Sequence, residues 1–276
     1  MSDCKYCGQP AGFLHSKHDD CERRYADAKV QIVKAIAEAV LSSAPLQPVE
    51  QQVYELAQAS FVSDAERHGL LLEGWGRAVD RCLEDDVLDE SEEKRLIELR
   101  DHFALSQADL QTTEAYSRVV KAAVIRDILH GNLPQRMTID GNVPINFQKG
   151  EQVVWAFPHT DYLEDRIRRQ YVGGSQGVSV RVMKGVYYRV GAFKGEAVDR
   201  NVRIHVDSGL FAVTNKNIYF VGPVKSLRIA YAKVLTFQSF SDGIGIVRDS
   251  ANAKPQIFVT GDGWFTYNLV TNLAHF

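Results

Sequence analysis

The sequence predicts an α+β, multidomain protein: a small metal-bound knuckle over residues 1–22, an all-α middle over 23–131, a linker over 132–149, and a β domain with a closing helix over 150–276. Three observations predict it. Three of the four cysteines fall within the first 21 residues. Apolar residues from Tyr25 to Ile128 recur every three or four positions, the period of helices. From Val153 onward the recurrence shortens to two, the period of strands. A chain of 276 residues also exceeds what one core usually covers.

Composition excludes more than it identifies. A hydrophobic content of 45% and a charged content of 24% are ordinary for a globular protein. No apolar run approaches the ~18 residues needed to span a bilayer, and the opening Met1-Ser2-Asp3-Cys4 lacks the basic-then-apolar layout of a signal peptide. A cytoplasmic protein is expected, with the inner membrane surface as a peripheral alternative. At a net charge of −3, any surface for nucleic acid or anionic lipid must be a local patch.

The amino-terminal element rests on two pairs of soft ligands, Cys4/Cys7 and His18/Cys21, each separated by two residues. Cys-x-x-Cys followed by a glycine, here Gly8, forms a tight turn that aims backbone amides at sulfur and chelates one edge of a tetrahedral ion. His18 and Cys21 lie one turn apart at the start of a helix, so both reach the same ion. His15, three residues before His18, competes for the fourth position. Four protein ligands leave no open coordination site, so the expected cofactor is structural Zn²⁺, which supplies folding free energy to a segment with almost no apolar core. The stretch resembles the zinc-ribbon or treble-clef knuckles found at the front of multidomain bacterial proteins, a resemblance covering less than a tenth of the chain.

In the middle, Tyr25, Ala28, Ile32, Ile36 and Val40 form one stripe, and Val49, Val53, Leu56 and Phe61 a second after the Pro45/Pro48 break. A third helix is expected over Leu71 to Leu83, with Cys82 as a small core residue. The acidic run Glu84 to Glu93 fails the calcium-loop pattern, because its sixth and twelfth positions are Glu90 and Leu96 where glycine and glutamate are required. It reads instead as helix capping, Asp89 with Glu92 and then Ser106 with Asp109. A last helix carries Leu110, Tyr116, Val120, Val124 and Ile128. The run from Val87 to Leu110 resembles the tellurite-resistance TerB-like helical fold. In that family paired acidic residues are linked to metal; here they read as a solvated helix face.

Gly131 to Gly150, with Pro134 and Pro144, has linker composition. Strands are expected at Val153 to Phe157, then, after a polar excursion over Asp161 to Tyr171, at Val178 to Met183, Val186 to Val190, Val202 to Val206, through Asp207 to Asp249, and at Gln256 to Thr260. Asp262 caps a final amphipathic helix carrying Trp264, Phe265, Leu269 and Leu273. The segment Gly209 to Phe220, with Thr214-Asn215-Lys216-Asn217 between two alternating runs, resembles the pleckstrin-homology and GRAM-like family. That resemblance implies a small bent β-barrel with a terminal helix plugging one end.

Catalytic patterns fail on their flanks. Gly173-Gly174-Ser175-Gln176-Gly177 matches Gly-x-Ser-x-Gly, but Arg168-Arg169 precede it and a strand follows, where a nucleophile elbow needs an apolar strand and then a helix. No phosphate loop, His-Glu-x-x-His or dinucleotide fingerprint occurs. Arg166, Arg168, Arg169, Arg181 and Lys184 form a basic group able to grip phosphate or anionic lipid, although Asp161, Glu164 and Asp165 are interleaved. Aromatic residues suited to single-stranded nucleic acid are sparse there. The expectation is a non-enzymatic adaptor or sensor that binds a protein partner, with anionic-lipid recognition as the alternative.

Overall fold

The computed structural model describes residues 2–13, 15–85, 87–137, 144–172, 175–183, 186–193, 196–250 and 254–276, the segment 166–202 by backbone path alone. These residues divide into two compact units, Met1–Arg136 and Met137–Phe276. The first is helical and the second is mainly antiparallel sheet, so the chain is α+β.

The helical unit contains α1 (Asp19–Glu38), α2 (Gln47–Ala59), α3 (Asp64–Cys82), α4 (Glu90–His102), α5 (Gln107–Gln111) and α6 (Glu114–Leu129). Its core forms where the stripes meet: Ile32 and Ile36 from α1, Leu71, Trp75 and Val79 from α3, Leu96 and Leu99 from α4. Gly74 lets α1 and α3 approach closely, since a Cβ there would lie 2.6 Å from the Ile36 Cβ. Trp75 and Arg95 find partners for their buried polar groups within this core. Trp75 Nε1 donates to the Leu96 carbonyl at 3.1 Å, and the Arg95 guanidinium donates to the Ala39 and Ala44 carbonyls at 3.0 and 2.7 Å.

The expected helices are present, with two differences at their starts. α3 begins seven residues before Leu71, because Ser63 and Glu66 form a reciprocal capping box. Leu110 lies in α5, separated from the last helix by Thr112 and Thr113. The boxes at Asp89/Glu92 and Ser106/Asp109 are both formed.

The second unit contains β1 (Val153–Val172), β2 (Ser175–Met183), β3 (Val186–Phe193), β4 (Glu196–Thr214), β5 (Asn217–Val221), β6 (Ser226–Ala230), β7 (Val234–Ser239), β8 (Gly243–Arg248), β9 (Gln256–Val259) and α7 (Gly263–Leu273). β2 and β3 pair as a separate hairpin. The other seven form an antiparallel sheet in the order β6-β5-β4-β1-β9-β8-β7. Its two edges, β6 and β7, are consecutive in sequence and joined by Tyr231–Lys233 alone. A span of four residues reaches at most ~14 Å, whereas a flat seven-stranded sheet would separate its edges by about 29 Å. The sheet is therefore strongly curved, and it stays open because no ladder joins β6 to β7.

The expected polar excursion over 161–171 is strand: β1 runs unbroken to Val172, paired with β4 along its length apart from register shifts. Two of its charges meet partners on β4, Asp165 with Arg203 directly across the ladder and Asp161 with His205 on the diagonal. The Thr214-Asn215-Lys216-Asn217 turn is held by a group the sequence did not single out. Glu151 accepts from the Thr214 hydroxyl at 2.5 Å, the Asn217 amide at 2.8 Å and the Tyr219 hydroxyl at 2.7 Å.

α7 is capped by Asp262, whose carboxylate accepts the Phe265 amide at 3.0 Å. Phe265 is fully buried, its ring 4.9 Å from Trp155 and 6.0 Å from Phe157. The helix thus packs the sheet's aromatic core, which continues through Phe211, Tyr162 and Phe258.

Candidate metal centre

The cluster is built from a turn and a helix start. Cys4 to Gly8 closes on itself, with the Gly8 amide donating to the Cys4 carbonyl at 2.8 Å and the Cys4 amide to the Gln9 carbonyl at 2.7 Å. Gly8 sits at φ +69°, a left-handed turn position that a glycine adopts without steric cost. A backbone bridge from Asp3 to Pro10 and a bond from the Lys5 amide to the Ser16 carbonyl fold this turn onto the residues leading into α1. His18 is the N-cap residue of α1 and Cys21 lies in its first turn. One helix end therefore presents both second-pair ligands, with its positive dipole end favouring thiolate.

The donor atoms of Cys4, Cys7, His18 and Cys21 all lie within 4.8 Å of one another. His18 Nδ1 is 3.4 Å from the Cys7 sulfur and 3.7 Å from the Cys21 sulfur. The other ring nitrogen, Nε2, is 3.1 Å from the Pro10 carbonyl. A proton placed there donates to that oxygen and leaves Nδ1 with a lone pair facing the sulfurs, the usual outer-shell arrangement for a ligating imidazole. Cys4 and Cys21 are buried, whereas His15 is exposed and does not belong to the group.

The electrostatics divide the thiols. Burial pushes the Cys4 thiol up, but the backbone amides of Cys7, Tyr6 and His18 outweigh it and bring the thiol down to about 6. Burial first, then hydrogen bonding and charge from Cys7, push Cys21 up to about 11. Three sulfurs and an imidazole facing one point are stabilised together by a cation, so the tetrad can hold a metal ion.

The knuckle is fixed to the helical unit by more than its ligands. Tyr6, between the two ligands of the first pair, packs its ring 4.9 Å from Tyr25 of α1. The Tyr25 hydroxyl donates to Glu66 of α3. Lys17 pairs with Glu22 across the entry to α1.

Other chemistry-bearing groups resolve into structural roles. Cys82 is buried in the core, where burial pushes its thiol up to about 12. Glu93, expected on a solvated face, accepts from Arg126 at 2.6 Å and Arg136 at 2.5 Å. Asp127 completes the network with Arg136 at 2.6 Å. These pairs tie α4, α6 and the chain after α6, and the role of Glu93 is invisible in sequence because its two arginines are 33 and 43 residues away.

On the sheet, Ser208 donates to Asp161 at 2.5 Å, and His205 Nε2 lies 3.0 Å from Ser208 and 3.2 Å from Asp161. A serine relay needs the imidazole between its partners, using both nitrogens. Here one nitrogen faces both oxygens on an exposed surface, a polar cross-strand contact. Ser175 of the Gly-x-Ser-x-Gly match opens β2, and Gly173-Gly174 lie outside the described residues. The side chains of Arg166, Arg168, Arg169 and Arg181, and all of Lys184, also lie outside them.

Comparison with protein-family models, with curated proteins and with solved structures finds no match. Among the described residues the Cys/His tetrad is the one His/Cys/Asp/Glu group with metal-holding geometry, and no helix is long and apolar enough to cross a membrane.

Proposed function

We propose that the chain is a non-enzymatic adaptor whose amino-terminal knuckle is held by a structural zinc ion and whose β unit meets a protein partner. The observation that carries this reading is the closed Cys4/Cys7/His18/Cys21 tetrad. Zinc bound at about 2.3 Å to sulfur and about 2.0 Å to nitrogen separates its ligands by roughly 3.5–3.8 Å. The His18 to sulfur distances of 3.4 and 3.7 Å match those edges, and a spread of at most 4.8 Å needs only a small contraction. Four protein ligands leave no position for a substrate or an activated water, so the ion would organise structure and would not perform chemistry.

The strongly curved antiparallel sheet, with α7 packed on its aromatic core, supports the pleckstrin/GRAM-like reading of the second unit. Among the described residues, the Ser208/His205/Asp161 contact lacks the geometry of a serine relay and Cys82 is buried. The purified full chain should show no turnover across phosphatase, nuclease and protease assays, and clear metal-independent turnover would overturn the adaptor reading.

A further inference from the structure

The gap between β6 and β7 leaves two strand edges without a ladder, and the segment Gly222 to Phe240 that supplies both edges carries charge of one sign, with Asp249 beside Lys233. From Gly222 to Phe240 the sequence contains Lys225, Arg228 and Lys233 and no aspartate or glutamate. Lys233 is exposed and Lys225 partly so. Apolar side chains stand out on the same stretch, Val224 at 79% and Leu235 at 68% exposure. Long exposed edges are ordinarily blunted by proline, a bulge or a covering element. Within β7, Val234–Ser239, there is no proline and four of its six residues are exposed; the register shift against β8 is confined to Val234–Thr236, which leaves Thr236 to Ser239 as the regular edge.

The width of the gap limits what fits. Strands pair at about 4.8 Å, so one guest strand between two edges needs about 10 Å. The link from Ala230 to Val234 permits at most ~14 Å at its closed end. That bound leaves no room for a second chain's sheet at the closed end.

We propose that the outer edge of β7 is a docking site for an extended acidic segment of a protein partner, about six residues long, with carboxylates alternating with apolar side chains. Backbone bonding to the edge would supply affinity without demanding one sequence. The apolar residues would lie along the exposed Leu235, and the carboxylates would meet Lys225 and Lys233. This rests on the adaptor reading and specifies the chemistry of its partner.

The test uses the full chain and a fluorescently labelled Val-Glu-Val-Glu-Val-Glu-Val peptide, with Val-Lys-Val-Lys-Val-Lys-Val as its charge-swapped control. Anisotropy should show the glutamate peptide binding at least about tenfold more tightly than the lysine peptide at low salt. Hydrogen exchange should show slowed amides within Val234–Ser239 in the complex. In the folded variant Lys225→Glu/Lys233→Glu the preference should reverse, which separates lost recognition from lost folding. Equal binding of the two peptides, or slowed exchange confined to other strands, overturns the proposal. So does binding of phosphatidylserine vesicles without peptide binding, which would mark the basic stretch as a lipid surface. Catalytic turnover in the assay panel would remove the adaptor reading while leaving the edge result to stand or fall by exchange data.

Discussion

At the scale of single residues, the thiols of the knuckle determine how the site responds to pH. Cys4, brought down to about 6, is largely thiolate at neutral pH, whereas Cys21, pushed up to about 11, holds its proton. Metal binding requires both as thiolates, so loading the site at pH 7 should release at least one proton per chain. Calorimetry in buffers of different ionisation enthalpy measures that release, and metal affinity should fall as pH is lowered because protons compete for the same atoms. Affinity independent of pH between about 8 and 6 would mean that these thiols are not the ligands. Cys82 behaves oppositely. Burial and a thiol pushed up to about 12 should keep it unmodified by a thiol reagent in the native chain, with modification appearing on unfolding. Its rapid labelling in the folded, metal-loaded protein would contradict the core assignment.

At the scale of elements, the close crossing of α1 and α3 is open to a direct test. Gly74→Ala would gain about 1 kcal/mol of helix propensity. Its Cβ, however, would fall 2.6 Å from the Ile36 Cβ and 3.2 Å from the Val33 carbonyl, inside contact distance on a packed face. Overpacking of this kind costs about 1–3 kcal/mol, so the helical unit should be destabilised by chemical denaturation; a stabilised variant would show that the helices can separate without loss.

In the β unit, the turn at Thr214 to Asn217 depends on Glu151. Burial pushes its carboxyl up, but the Thr214 and Asn217 side chains, the Gln148 amide and the Tyr219 hydroxyl outweigh that and hold it below its usual value of 4.5. The sign follows: the contribution is present above about 4.5 and is lost as pH falls through the depressed folded value. Glu151→Gln should lower stability at neutral pH and reduce its loss in acid. An unchanged acid profile would remove Glu151 from the account of that turn.

Much at this scale was readable from the sequence, for physical reasons. Capping boxes at Asp89 and Ser106, the Asp262 cap and the stripe Ala28, Ile32, Ile36 depend on residues a few positions apart, and each is found in place. The tetrad was legible for the same reason, as two pairs with two-residue gaps. Charges on β1 obscured its continuity because their partners, Arg203 and His205, lie some forty residues away. Glu151 and Glu93 were missed likewise, since their roles arise only after the chain folds back.

At the scale of the whole molecule, the candidate metal ligands all lie in the first of the two compact units. The tetrad draws all four ligands from residues 4–21 and feeds directly into α1, whose Ala28, Ile32 and Ile36 lie in the helical core. The sheet unit has its own aromatic core around Phe211, Phe258 and Phe265, and no metal-holding group occurs among its described residues. Chelation should therefore loosen the knuckle and the start of α1 while β1 and β4 keep their amide protection. The central claim is one structural zinc per chain, and elemental analysis of the purified protein tests it most directly. The account predicts about one zinc per chain, retained in His15→Ala and lost in both Cys7→Ser and His18→Ala; zinc absent from the wild type, or unchanged after Cys7→Ser, would contradict it.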